Sequence, residues 1–390
     1  MVAGVERGYR YRFYPTAAQA VLLTRTFGCV RLVYNLGLQA RRDAWQQRQE
    51  TLDYQATSAL LTGWKKTAEF SFLTEVSCVP LQQALRHLDV AYQKFFNGEC
   101  RFPRFKSRKR SRRSAEFTAS AFTHKPGELR LAKLMDEPLA VVWSRPLPDG
   151  AVPSTVTVSQ DRAGRWFVSL RVVVPAVTAP ATTTMVGIDA GLNRLLTLSD
   201  GTTVDNPRHE SRERAALVRA QRKLARKEKG SRNREKARVK VARVHARIAD
   251  RRRDALQKVT TRLVRENQVL VIEDLAVRNM LKSHTLARAI SDASWGLFRT
   301  LLEYKAQEYG RTLIAVPRWY PSTRLCSVCG GRAEKMTLSV REWTCTGCDT
   351  RHDRDVNAAR NILAAGLAVT ACGADARPQR GTTSRTGDRR

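Results

Sequence analysis

A chain of 390 residues with 42 % hydrophobic content can bury more than one core, which argues against wholesale disorder and for two to four domains. Its 69 Lys and Arg stand against 36 Asp and Glu, a net charge of +33. An excess of that size repels itself unless a polyanion neutralises it, so nucleic acid is the expected partner, through phosphate contacts and counterion release. No apolar run reaches the length of a membrane span, and the first fifteen residues lack the apolar core of a signal peptide. The expectation is a soluble cytoplasmic protein close to the nucleoid, with no membrane partner.

Residues 8–14, GYRYRFY, alternate aromatic and basic side chains, the two-residue period of a half-buried strand. Thr16 with Gln19 fits a capping box that opens a helix. Leu22, Leu23, Phe27, Val30, Val33, Tyr34 and Leu38 continue it at helical spacing. Another helix starts after Ser77, with Pro80 tolerated in its first turn. It carries Leu81, Leu85, Leu88, Tyr92 and Phe95 inward and stops at Asn97-Gly98, so residues 16–98 read as a small helical domain. The run 101–110, RFPRFKSRKR, interleaves cations with Phe102 and Phe105, a composition suited to phosphate contact plus base stacking. A flexible charged linker is the alternative for that run. Arg104, Phe105, Lys106, Arg108 and Lys109 are its candidate nucleic-acid contacts, with Arg12 of the first strand.

From 114 to 174 short alternating apolar runs are separated by turns, and Asp161-Arg162-Ala163-Gly164 is a hairpin signal. The region reads as a small β-barrel that the first strand completes. Residues 175–180, PAVTAP, read as a linker. The pattern then becomes mixed α/β. Residues 185–189 form a buried strand and 195–204 a hairpin around Asp200-Gly201. A long basic helical stretch follows over 209–266, broken at Gly230-Ser231. Its acids are too few to pair its bases, so it is expected to face nucleic acid, with Arg222 and Lys223 among the contacts. Strands at 269–273 and 312–316 flank a helix near 294–309, and an Ala-rich helix occupies about 356–368. The last twenty residues are polar and basic, the composition of a disordered tail.

Three acids each stand where a strand or helix ends. Asp189 closes one apolar strand, Glu273 closes another, and Asp355 precedes the Ala-rich helix. A carboxylate in such a place costs free energy unless it is solvated, capped or bound to a metal. Phosphodiester hydrolysis explains the residue types. Two hard divalent ions about 4 Å apart activate water and stabilise the leaving oxygen, and Mg2+ takes oxygen ligands. The order and placement resemble an RNase H-like nuclease site. Asp353 is the nearest rival to Asp355, which is the better placed of the two.

Cys326-x-x-Cys329 and Cys345-x-x-Cys348, with fifteen residues between the pairs, have the spacing of a four-cysteine zinc ribbon. Four thiolates fill a tetrahedron, so one structural Zn2+ is expected and His352 is left as a surplus candidate. Cys29, Cys78, Cys100 and Cys372 are scattered and read as small buried hydrophobes.

These residues resemble the TnpB family encoded by insertion sequences. The resemblance rests on Tyr11 to Thr16 with Gln19, Arg31 to Asn35, Pro103 to Ser107, Gly187 to Gly191 and Val271 to Leu275. Ser291 to Trp295, Tyr320 to Thr323 with the first Cys pair, and His352 to Ala359 extend it in order over about residues 9–366. Type V CRISPR effectors share the nuclease half. The resemblance implies a multidomain α+β protein. A β-barrel wedge domain (1–15 and 111–178) carries an inserted helical recognition domain (16–110). A RuvC-like nuclease domain (182–322 and 352–370) carries an inserted zinc ribbon (323–351), and a basic tail (371–390) follows. It implies a guide RNA from the element's end, double-stranded target DNA with a short adjacent motif, and Mg2+-dependent cutting by Asp189, Glu273 and Asp355. A monomer is the default expectation. Two rivals remain, an RNA-guided binder that does not cut and a transposase that joins strands itself.

Overall fold

The computed structural model describes residues 4–134, 137–175, 179–334, 336–337 and 339–371. The middle of the expected linker, and the expected tail from 372 on, lie outside the described residues. The described residues fall into two compact units that divide between Ala176 and Val177.

In the first unit, strand β1 (Gly4–Phe13) leads into helix α1 (Ala17–Arg48). Both halves of the capping box form at its start. The Gln19 amide donates to Thr16 Oγ1 over 3.3 Å, and the Thr16 amide donates to Gln19 Oε1 over 3.1 Å. Helices α2 (Tyr54–Lys66) and α3 (Cys78–Phe96) complete the helical part. Val33, Leu38, Leu61, Leu81, Leu85 and Leu88 form its core. A Cβ on Gly37 would lie 2.6 Å from Leu85, so α1 and α3 approach closely there. The helix α2 escaped the sequence reading because it buries only Thr57 and Leu61, too few positions to show a period.

The rest of this unit is β-structure: β2 (Arg113–Thr118), β3 (Phe122–Lys125), β4 (Glu128–Leu131), β5 (Val141–Val142), β6 (Pro153–Gln160) and β7 (Trp166–Pro175). A five-stranded sheet runs in the order β2-β6-β7-β1-β5, and β3 pairs with β4. The first strand thus joins the sheet, pairing antiparallel with β7 from Gly4↔Pro175 to Phe13↔Trp166. Its alternation is literal: Tyr9, Tyr11 and Phe13 are buried while Arg10 lies on the solvent side. At the expected hairpin, Asp161 Oδ1 accepts from the Arg165 amide over 2.9 Å and Gly164 takes a φ of 81°.

In the second unit β8 (Met185–Ala190), β9 (Arg194–Leu198) and β10 (Thr203–Asp205) make an antiparallel meander. Helices α4 (His209–Ala225) and α5 (Arg232–Glu266) follow, joined through Leu217, Val244 and Ile248. Strand β11 (Val269–Glu273) pairs parallel with β8. The short helices α6 (Val277–Met280) and α7 (Ala287–Ala293) lead to α8 (Trp295–Tyr309) and then β12 (Thr312–Val316), parallel to β11. The sheet order β10-β9-β8-β11-β12 puts the meander on one side and the two crossover strands on the other. On one face Val186, Ile188, Leu270 and Ile272 pack with Leu256 and Leu263 of α5 and Phe298 and Leu302 of α8. Strands β13 (Glu342–Thr344) and β14 (Arg351–Asp353) pair within the cysteine segment. Helix α9 (Arg354–Ala371) covers the other face through Ile362, against Val271, Ile314 and Val316. No helix among the described residues is long and apolar enough to cross a membrane.

Candidate active site and metal centre

The pairing of β8 with β11 ends at Ile188↔Ile272. Asp189 and Glu273 come one residue later, side by side on neighbouring parallel strands about 4.8 Å apart. Side chains alternate along a strand, so both acids share a face with Gly187 and Val271, two residues back. That is the face under α9. A Cβ on Gly187 would lie 2.1 Å from the Ala359 carbonyl oxygen and 2.7 Å from the Leu363 nitrogen. A Cβ on Gly366 would lie 2.4 Å from Val271 Cγ1. The two glycines therefore let the helix rest directly on the strands. Asp355, one turn before Ala359, is thereby delivered to the strand ends that carry the other two acids.

The electrostatics follow. Burial raises the Asp189 carboxyl from its ordinary 3.8 to about 8, with Glu273 and then Asp355 adding to the rise and Arg354 opposing it. Among the described residues no hydrogen bond or ion pair reaches the Asp189 carboxylate. Glu273 Oε1 accepts from Ser322 Oγ over 2.7 Å. Asp355 Oδ1 lies 3.5 Å from Arg341 Nη1. The neighbouring acids have other work. Asp353 Oδ1 accepts from the amides of Asp355 and Val356, each over 3.0 Å, as a cap on α9, and Oδ2 lies 3.3 Å from Arg194. Asp274 is held by Arg299 over 2.6 Å and Arg318 over 2.5 Å. Burial acts to raise its pKa, but the two guanidinium groups outweigh it and hold the carboxyl below its usual range. An unpaired carboxyl pressed by two more is a donor set that a hard divalent cation relieves. The residues fit Mg2+ in their chemistry.

The four thiols are tighter. Their sulfurs lie within 4.8 Å of one another, and among the described residues no other set of three or more His, Cys, Asp or Glu brings its ligand atoms that close. Cys326 to Cys348 and Cys329 to Cys345 each measure 3.6 Å. A Zn–S bond of about 2.3 Å in a tetrahedron gives edges of about 3.8 Å. Each pair sits on a knuckle of the same design. The Gly330 amide bonds the Cys326 carbonyl over 2.9 Å, and the Asp349 amide bonds the Cys345 carbonyl over 2.9 Å. His352 stands outside the set, its Nε2 3.1 Å from Cys326 Sγ and its ring 4.8 Å from that of Trp343. Of the other cysteines, Cys29 is buried as expected, whereas Cys78 and Cys100 are exposed. The first opens α3 on its solvent side and the second lies in the turn after it. Cys372 is outside the described residues.

Several residues that sequence reasoning passed over tie these parts together. Asn361 Nδ2 donates to the carbonyls of Ser322 and Leu325 over 2.8 and 2.7 Å. Asn357 donates to the same Leu325 carbonyl over 2.7 Å and accepts from the Ser327 amide over 2.9 Å. The signal was two asparagines four apart in an otherwise Ala-rich helix. Asp292 is buried and receives the Glu210 amide over 3.0 Å and Arg252 over 2.8 Å, fixing the start of α4. Its motif was noticed, but nothing local reveals its partners.

The candidate nucleic-acid contacts divide into two kinds. Arg104, Phe105, Arg108 and Lys109 are exposed, as are Arg222 and Lys223 in the last turn of α4. Lys106 is turned inward, its Nζ 3.7 Å from the Tyr34 ring centre, and burial lowers its pKa to about 8. Arg12 lies against the rings of Phe167 and Tyr14, with Nη1 buried.

These elements define a mixed α/β protein with acids at the ends of two neighbouring strands and on the helix across them, beside a four-cysteine cluster able to hold an ion. Comparison with known proteins narrows this class. Residues 165–284 match the OrfB profile of IS605 elements, described as "Probable transposase", and residues 295–362 match the "Cas12f1-like, TNB domain". Residues 1–50 match a profile described as "Helix-turn-helix domain", although a strand and one uninterrupted helix occupy the described part of that span. A Streptomyces pristinaespiralis protein named "Putative RNA-guided DNA endonuclease" is 61 % identical over 99 % of this chain and 96 % of its own. Escherichia coli (strain K12) InsQ, which bears the same description, is 35 % identical over 94 % of each chain. A Cas12f1 chain, solved in complex with sgRNA and target DNA, shares the fold with a TM-score of 0.56, at 12 % identity over 92 % of this chain and 99 % of its own. The chain belongs to the TnpB family.

Proposed function

We propose that this protein is an RNA-guided, Mg2+-dependent endonuclease of a transposable element, which cuts double-stranded DNA beside a short adjacent motif. The observation that carries this reading is the convergence of Asp189, Glu273 and Asp355, with Asp189 unpaired and its pKa raised to about 8 by burial and by the other two. The names of the Streptomyces and Escherichia relatives support the guided, DNA-cutting part. In this reading Asp189, Glu273 and Asp355 would hold two Mg2+ ions, which would supply activation of the attacking water and stabilisation of the leaving 3′ oxygen. Ser322 orients the Glu273 carboxylate, and Asp353 fixes the first turn of α9 so that Asp355 keeps its place. Cys326, Cys329, Cys345 and Cys348 hold one structural Zn2+.

The domain layout is that implied by the family: a wedge with its inserted helical domain, then a RuvC-like nuclease with its inserted ribbon. Guide RNA and the guide–target duplex are held chiefly through phosphates, by residues such as Arg104, Arg108, Lys109, Arg222 and Lys223. The protein acts as a monomer. The test is to purify it with a guide RNA from the element's end and supply plasmid carrying a matching target with varied flanks. Guide-dependent, Mg2+-dependent linearisation is expected, and products that are nicked ends joined to new DNA would instead favour the strand-joining reading that the transposase description suggests. Guided binding without any cut would favour a regulator.

A further inference from the structure

Trp319 is the most exposed large apolar side chain among the described residues, at 87 %. An indole left in water forfeits the stabilisation of burying one of the largest apolar surfaces a residue offers, and buried neighbours are close at hand. The segment around it is pinned on both sides. The Asp274 amide bonds the Val316 carbonyl over 3.0 Å, and Arg318 bonds Asp274 Oδ2 over 2.5 Å. The Tyr320 amide closes a turn onto the Pro317 carbonyl over 3.0 Å, and the Tyr320 ring packs against Val271, Ile314, Val316 and Ile362. Ser322 is buried, bonds Glu273 over 2.7 Å and is itself held by Asn361 over 2.8 Å. Between these anchors the Trp319 indole stands in solvent, on a backbone that has little freedom to carry it elsewhere.

Its position is specific. Only Tyr320 and Pro321 separate Trp319 from Ser322, three steps along the chain, so their Cα atoms are within about 11 Å. Arg318 and Glu273 both line a cavity of about 500 Å³ with Leu275, Trp295, Phe298 and Arg299. That volume accommodates a nucleotide. A rigid, solvent-facing indole beside such a cavity, in a chain of net charge +33, matches how proteins hold single strands: cations follow the backbone while aromatic faces receive bases. In a duplex the base faces are already stacked, so the ligand is an unpaired base.

We propose that Trp319 is a stacking platform for an unpaired nucleobase of the strand being cut, next to the cavity that Glu273 lines. The proposal rests on the nuclease reading above and adds a binding residue to it. It is tested in the full-length protein carrying Asp189→Ala to prevent cutting. Tryptophan emission is followed while a single-stranded oligothymidylate is titrated in. Quenching is expected in this parent, and Trp319→Phe should remove the Trp319 share of the quench. In otherwise wild-type, guide-loaded protein, Trp319→Ala should raise the KM for target cutting about tenfold at nearly unchanged kcat, with Trp319→Phe restoring most of the loss. Trp319→Ala removes an exposed side chain and should melt with the wild type. Identical quenching curves for the parent and Trp319→Phe overturn the proposal, as does a wild-type KM in Trp319→Ala. The fluorescence arm needs no cutting. An absence of guided cleavage in the wild type would therefore sink the nuclease reading while leaving the stacking decided on its own.

Discussion

The two candidate ligand clusters of the second unit are built on opposite principles. The four thiols come from two C-x-x-C knuckles, each closed by its own backbone hydrogen bonds, and their sulfurs are drawn within 4.8 Å. The three carboxylates come from two strands and a helix distant in sequence, and they are held near one another by the packing of α9 on Gly187 and Val271. Their charges repel, so they stay looser, and burial first, then the neighbouring carboxylates, raise the pKa of Asp189. A closed set suits a resident structural ion. An open set of hard donors, with one carboxyl unpaired, suits ions that keep sites free for water and substrate.

The largest effect should come from the acids. Asp189→Ala, Glu273→Ala and Asp355→Ala should each lower cutting on the order of a thousandfold or more, with RNA and DNA binding kept. Asp353→Ala, which removes a cap rather than a metal ligand, should keep substantial activity. Single-turnover cleavage in Mg2+ beside a binding assay measures both, and full cutting by one of the three alanine variants would remove that residue from the site.

On the thiol side, Cys326→Ser or Cys348→Ser should abolish a stoichiometric zinc. The C-terminal part should lose several kcal/mol, of the order of the stability of a small ribbon. Elemental analysis and thermal melts check this, and native protein free of zinc would end the idea. Because Asn357 and Asn361 tie the first knuckle to α9, cutting should fall as well.

Gly187→Ala asks whether backbone contact, rather than charge, assembles the acids. The added methyl would meet the Ala359 carbonyl at 2.1 Å, so α9 must lift. A loss of about 3 kcal/mol is expected, together with loss of cutting although no acid has changed. A variant that melts and cuts like the wild type would show that the helix does not depend on this contact.

The least direct test is the pH dependence of the metal-free protein. Asp189 is raised in the fold from 3.8 to about 8, so between those values the native state holds a proton that the unfolded state has released. Its contribution to stability is therefore full below about 4 and is lost as pH rises toward 8. Asp189→Asn should flatten that part of the slope. Mg2+ should bind more tightly over the same rise, since it competes with the proton. Parallel slopes in melts of the two proteins, without Mg2+, would mean that Asp189 is not protonated there.

What was legible in the sequence is what is local. The capping box at Thr16, the alternation of β1, the hairpin at Asp161 and the cysteine knuckles each depend on residues within a few positions, so their chemistry is written in order along the chain. The acids were legible as three strand-end or helix-start carboxylates, and the family resemblance set them in one site. The means of their meeting was not legible, because it depends on the register of β8 with β11 and on two glycines whose neighbours lie far along the chain. The same holds for Asp292 and for Ser322. It holds too for Lys106, which the sequence offers as one more cation in a basic run and the fold turns onto Tyr34. Residue types and local spacing determined which groups this protein brings to its sites. Long-range packing alone decided which carboxylate is left without a partner, since burial and neighbouring charge exist only once the strands and α9 are together.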